Sequence, residues 1–231
     1  MDTQIALEDI LASRVNTYYL LSRIFRIEVD DEFYGELLTL KFPKNTGNDS
    51  VDKGYELIYS YLNSPHPSVI TDLAVDYTRT FIGHGNNGYS AAYPFESVYT
   101  SPKRLLMQAA RDDVLVIYRA AGIDKNPSWK DGEDHIALEL EFMQIMGQRA
   151  LDAYRSGNED QAAELLTTSK FFLEEHLNSW FPMMAKDMNK FSKTDFYKGV
   201  AALTLGFLDT DYEFLQDILE DENEDEIDEI D

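Results

Sequence analysis

His135 and Glu139 stand four residues apart, a spacing that puts an imidazole and a carboxylate on one face of a helix and could begin a metal site. Nothing extends it. The other histidines, His66, His84 and His176, are scattered, no E-x-x-H occurs and the chain has no cysteine, so neither a di-iron carboxylate bundle nor thiolate chemistry is supported. The competing reading is structural: Asp134 complements the positive end of a helix and His135 follows it. Gly83-His84-Gly85-Asn86-Asn87-Gly88 spells G-x-G-x-x-G. A dinucleotide fingerprint needs a strand before it and a helix at its last glycine. Here YTRTF before it reads as a helix end, and the residues up to Pro94 show no helical period, so a turn that lets the chain leave a helix competes.

The third constellation is PFESVYTSP, Pro94 to Pro102. Phe95 and Tyr99 offer flat apolar area at low entropic cost, and Glu96 could receive a cation. Together with Ser97 they could line a groove; equally, the aromatics could plug the core beneath the loop. There is no G-x-S-x-G and no phosphate-binding loop, so no catalytic residue is expected.

The elements that would carry these residues are helical. Ile5, Leu7, Ile10, Leu11, Val15, Tyr18, Leu21, Ile24 and Phe25 form a broad apolar stripe, and shorter helices are expected at about 31–41, 51–63 and 67–81. A long ordered loop should follow at about 82–101. Ser101 and Pro102 read as the cap and first turn of a helix to about Ala121. Further helices are expected over about 133–155, after the Asn158/Gln161 pair to about 177, and after a Ser192/Asp195 pair. The expectation is an all-α, single-domain bundle over 1–218 with a disordered acidic tail over 219–231: from Gly199 onward there are thirteen acidic residues and no lysine or arginine.

With 231 residues, 44% of them hydrophobic, the chain can bury a sizeable core. Its net charge of −23 argues against nucleic acid and anionic lipid and favours a basic partner. No apolar run is long enough to span a bilayer, and MDTQIALEDILASR reads as neither a secretory nor a transit signal. A cytoplasmic location is expected.

Three segments then combine: YTRTFIGHG…YPFESVY, EDHIALELEFM, and FFLEEHLNSWFPMMAKDM with FYKGVAALTLGFL. In order and spacing they resemble the TorD/DmsD/NarJ-type family of redox-enzyme maturation chaperones, whose hallmark is E-x-D-H-I-x-x-E-L-E-F-M. Phe95 stands where many members carry tryptophan. The resemblance implies a single all-helical domain, monomeric or a domain-swapped dimer, with no cofactor of its own. Its partner would be the catalytic subunit of a molybdenum-cofactor oxidoreductase. The chaperone would bind that subunit's twin-arginine signal peptide or apo form and delay export until the cofactor is inserted. The peptide-binding residues would be Asp134 and His135, with Phe95, Glu96, Ser97 and Tyr99; Glu139 lies on the same helix face. Three other functions compete: a NarJ-like chaperone for a subunit without a cleavable signal, a metal- or nucleotide-dependent hydrolase using the glycine loop and the His135/Glu139 pair, and an acidic scaffold acting through its tail.

Overall fold

The computed structural model describes residues 2–64, 67–83 and 90–228, and the side chains of 7–64, 67–83 and 90–220. Among the described residues there is no strand, only one antiparallel bridge between Phe95 and His135. In chain order the helices are α1 (Asp2–Arg26), α2 (Asp31–Thr39), α3 (Asp49–Leu62), α4 (Val69–Tyr77), α5 (Glu96–Thr100), α6 (Ala109–Ala120), α7 (Ile136–Arg155), α8 (Glu159–Phe172), α9 (Asn178–Phe191) and α10 (Asp195–Asp228). The all-α architecture matches the periodicity. The boundary expected at 218/219 falls inside α10.

The apolar stripe of α1 packs on α7, and α10 packs on α3. The second pairing is close because it is made through glycines: a Cβ on Gly54 would sit 2.5 Å from the Leu203 backbone nitrogen, and one on Gly199 would sit 2.9 Å from the Gly54 carbonyl oxygen. Asn48 caps α3 by accepting from Ser50 N and Val51 N, and its own amide donates to Gly206 O and Thr210 Oγ1 on α10. Across the core, Arg14 on α1 is ion-paired with Asp211 on α10, and the Tyr18 hydroxyl donates to the same carboxylate at 2.6 Å. All three side chains are buried, so each needs the others.

Two segments leave the α-helical path. α4 ends in a π-helical turn, Thr78–Ile82, stopped by Gly83 at φ +75°; a Cβ there would meet Ser90 Oγ at 2.9 Å. α8 passes into α9 through a second π turn, Leu173–Leu177, five residues before Pro182, which has no N–H to continue the ladder.

Two caps differ from expectation. Ser101 does not open a helix but ends α5, its N–H donating to Ser97 O. Residues 101–108 are not α-helical because Arg104 and Met107 take positive φ, at 52° and 55°, and α6 begins only at Ala109. At α10 the expected Ser192/Asp195 pair gives way to Thr194 and a distant carboxylate. Asp76 accepts from Lys193 N, Thr194 N and Thr194 Oγ1 at 2.7–3.0 Å.

Candidate recognition cleft

The loop before α5 and the loop before α7 run side by side. Ile136 N donates to Pro94 O and Glu96 N to Asp134 O, both at 2.9 Å. Phe95 stands at the N-cap of α5 and has no acceptor to offer, so Asp134 supplies one from across the gap, its Oδ2 accepting from Ser97 N at 2.9 Å. The next residue caps the other helix: His135 Nδ1 accepts from Ala137 N at 3.0 Å. The His135 ring is pinned edge-on between Phe95 and Trp129, with centroids 4.9 and 5.0 Å away. Burial, reinforced by the charge of Arg26, lowers its pKa to about 3. The imidazole is therefore neutral near pH 7 and carries its proton on Nε2.

Beneath this joint lies a polar cluster closed to solvent. Glu96 Oε2 is hydrogen-bonded from inside the protein, to His176 Nδ1 at 2.9 Å, which the second π turn brings forward. Glu139, fully buried, accepts from Trp180 Nε1 at 3.0 Å. Burial and the neighbouring Glu96 raise its pKa well above the usual carboxylate range, the Trp180 bond opposing. Tyr99 stacks on Trp180 at 5.5 Å. Ser97 Oγ accepts from Gln108 N at 3.0 Å and so holds the start of α6. Glu133 binds Arg111 and Lys125 at 2.5 and 2.8 Å. Burial works against its charge, but these two cations outweigh it and hold the carboxyl below its ordinary value. The Glu133-Asp134-His135…Glu139 motif thus joins α5, α6, α7, the second π turn and α9.

Above the joint is open space. A cleft of about 500 Å³ is bordered by Arg26, Ile27, Glu28, Tyr77, Phe81, Ile82, Tyr93, Pro94, Phe95, Asp131 and His135, a size that can hold a drug-sized group or a short peptide stretch. Its apolar wall includes Ile27 and Ile82, both exposed. The Glu28 and Asp131 carboxylates look into it: after burial, their charges are the next causes that push the Tyr77 hydroxyl up to about 12. Among the described residues neither carboxylate has a cation partner within ion-pair distance. A second cleft of about 310 Å³ shares Arg26 and is lined by Trp129, Lys125 and Phe142. Arg26 itself is paired with Glu141 at 2.6 Å and lies over the Trp129 ring.

The structure therefore brings all seven candidate residues to one place, on two levels. Phe95 and His135 border the cleft, while Glu96, Ser97, Tyr99, Asp134 and Glu139 lie buried below. Sequence reasoning missed Ile27, Glu28, Ile82 and Asp131, which sit at element ends without a pattern, and Trp129, in the connection between α6 and α7. His84 to Gly88 of the glycine motif fall outside the described residues. The His135/Glu139 metal pair is divided, since His135 Nδ1 is committed to Ala137 and Glu139 to Trp180. Among the described residues no group of three or more potential ligands could hold a metal ion, and no helix is long and apolar enough to cross a membrane.

The family model described as "Nitrate reductase delta subunit" matches residues 48–186. The chain is similar to the chaperone protein TorD of Vibrio parahaemolyticus, 24% identical over 208 residues that cover 87% of this chain and 94% of the relative. It is similar to the chaperone protein TorD of Aliivibrio fischeri, 25% identical over 210 residues with the same 87% and 94% coverage. With the chaperone protein TorD of Vibrio cholerae it shares 26% identity over 150 residues, 65% of each chain.

Proposed function

Because the chain belongs to the nitrate reductase delta subunit family, the family of NarJ- and TorD-type chaperones, we propose that it is a cytoplasmic, non-catalytic maturation chaperone for the catalytic subunit of a molybdenum-cofactor oxidoreductase. It binds that subunit's twin-arginine signal peptide and delays export until the cofactor, which belongs to the client, is in place. The observation that carries this reading is the cleft: an apolar wall of Ile27, Ile82 and Phe95 edged by the carboxylates of Glu28 and Asp131. A twin-arginine signal offers two guanidinium groups followed by an apolar stretch, and this surface complements both. Phe95 and His135 touch the peptide; Asp134, Glu96, Ser97, Tyr99 and Glu139 hold the two segments in register.

The charge of −23 speeds encounter with a basic peptide and makes it salt-sensitive. The exposed carboxylates contribute only about 0.2–1 kcal/mol each, so the apolar wall carries most of the affinity. The test titrates a fluorescent twin-arginine peptide into wild type, Glu28→Gln/Asp131→Asn and Ile82→Ser. These positions are exposed, so the fold should persist. The double variant should bind a few-fold more weakly with a flatter salt dependence, and Ile82→Ser more weakly at every salt concentration. Unchanged affinity in all of them would refute the assignment. A client lacking its N-terminal segment but still captured would instead favour the NarJ-like mode, recognition of the apo-subunit itself.

A further inference from the structure

The 101–108 segment, Ser101-Pro102-Lys103-Arg104-Leu105-Leu106-Met107-Gln108, places two bases directly before three large apolar residues, and every residue from Pro102 to Met107 is exposed. Leu105, Leu106 and Met107 are 49%, 50% and 59% exposed in a chain that buries most of its other leucines and methionines. This is not a loose loop. Leu105 N donates to Ser101 Oγ, Arg104 N to Ser101 O, Gln108 N to Ser97 Oγ and the Gln108 side chain to Leu106 O, all within 2.8–3.1 Å. Arg104 and Met107 are held at positive φ, which side chains other than glycine adopt at a cost. The fold spends hydrogen bonds and strain to hold an oily, basic ridge in water, the opposite of what solubility favours.

The surface that complements such a ridge is on the same molecule, and no residue of 101–108 borders it. We propose that the Lys103–Met107 ridge of one copy docks in the carboxylate-edged cleft of a second copy, forming a weak, self-blocked dimer that a client signal peptide opens by competition. The inference rests on the cleft reading above. Lys103 and Arg104 would meet Glu28 and Asp131, and the Leu-Leu-Met side chains would meet Ile27, Ile82 and Phe95. Base-then-apolar is the same order that a twin-arginine signal presents. Since each copy carries one ridge and one cleft, the contact can close reciprocally about a two-fold axis. Its function would be to keep an apolar cleft covered until a client arrives.

The test uses the full chain. Sedimentation velocity from low to high micromolar should show mass rising from the 26.5 kDa monomer toward a dimer. Leu105→Ser/Leu106→Ser/Met107→Ser, which alters only exposed side chains, should stay monomeric, and Glu28→Gln/Asp131→Asn should weaken the dimer about five-fold. A twin-arginine peptide should return wild type to monomer. A capped 101–108 peptide should bind the triple-serine variant and lose affinity in the same carboxylate background. Wild type monomeric at every concentration, or a triple variant that associates like wild type, overturns the proposal. A chain that binds the twin-arginine peptide but not the 101–108 peptide also overturns it and leaves the cleft reading standing; binding neither removes both. A triple variant that loses capture of the apo-client, with wild-type mass behaviour unaltered, would assign the ridge to the client instead.

Discussion

Replacing His135 by asparagine separates its cap from its titration. The ring is buried and neutral, with a pKa lowered to about 3 by burial and by Arg26, against roughly 6.5 in the unfolded chain. The unfolded state therefore takes up the proton first. The stability this site contributes is present above about pH 6.5 and is lost as the pH falls through that value toward 3. From pH 7 to pH 5 the difference in proton affinity amounts to about 2 kcal/mol. For a domain of this size that is about 4–8 °C in Tm. Asparagine is a strong N-cap and can accept the same Ala137 N–H, but it does not titrate. At pH 7, His135→Asn should cost about 1–3 kcal/mol, from the lost ring contacts with Phe95 and Trp129. Between pH 7 and 5 it should then lose about 2 kcal/mol less than wild type. Urea unfolding of both proteins at the two pH values measures this double difference, in which other titrating groups cancel to first order. If variant and wild type lose the same stability, His135 is not the buried neutral cap described here.

Glu139→Gln should act in the opposite direction. The raised carboxyl keeps its proton in the fold where the unfolded chain gives it up, so its contribution is present at low pH and is lost as pH rises through the folded value. The variant should gain on wild type as the pH rises above the ordinary carboxylate range, by at most about 1.4 kcal/mol per pH unit; a stability difference that stays constant from about pH 4 to 8.5 would contradict this. Gly54→Ala should destabilise by about 1–3 kcal/mol or more, because the new methyl meets the Leu203 backbone at 2.5 Å; a denaturation midpoint equal to wild type would show that α3 and α10 are not in close contact. Truncation after Leu219 should slow association with a basic peptide and flatten its salt dependence while leaving the off-rate unchanged, as stopped-flow binding would show. An abolished complex would make the acidic tail the binding element.

The fold was legible wherever a long helix carried its own period. Leu11, Val15, Tyr18, Leu21, Ile24 and Phe25 are all buried, as an amphipathic stripe requires. It was illegible where a distant group overrules local chemistry. Ser101-Pro102 is a sound helix opening, yet Ser97 Oγ holds Gln108 N and the helix waits until Ala109. Ser192 is a sound cap, yet Asp76, more than a hundred residues upstream, holds the turn at Thr194. For the site, type and spacing located the Asp134-His135 joint but not its facing. That Asp134 and Glu139 look inward depends on Ser97 and Trp180, contributed by α5 and α9, and no periodicity within α7 encodes it. The cleft's carboxylates, Glu28 and Asp131, follow helix ends and loops, where no pattern marks them.

The two levels of the site imply different energetics. A cluster holding Glu96, Asp134 and Glu139 away from water, with His176 and Trp180 as the principal side-chain partners of the two glutamates, is a poor way to gain stability, because apolar side chains in the same volume cost less to bury. What such a cluster provides is geometry. One carboxylate, Asp134, fixes the start of α5, and its neighbour His135 fixes the start of α7, so Phe95 and His135 cannot separate without leaving a buried polar group unpaired. A preformed cleft spares a peptide the cost of ordering its receptor. Variants of the two levels should therefore differ in kind. Glu28 and Asp131 substitutions should change peptide affinity at constant unfolding free energy. Asp134→Asn, which keeps an acceptor for Ser97 N but removes the charge, should lower both together. An Asp134→Asn protein with wild-type stability and weakened binding would place that carboxylate in contact with the peptide and not beneath it.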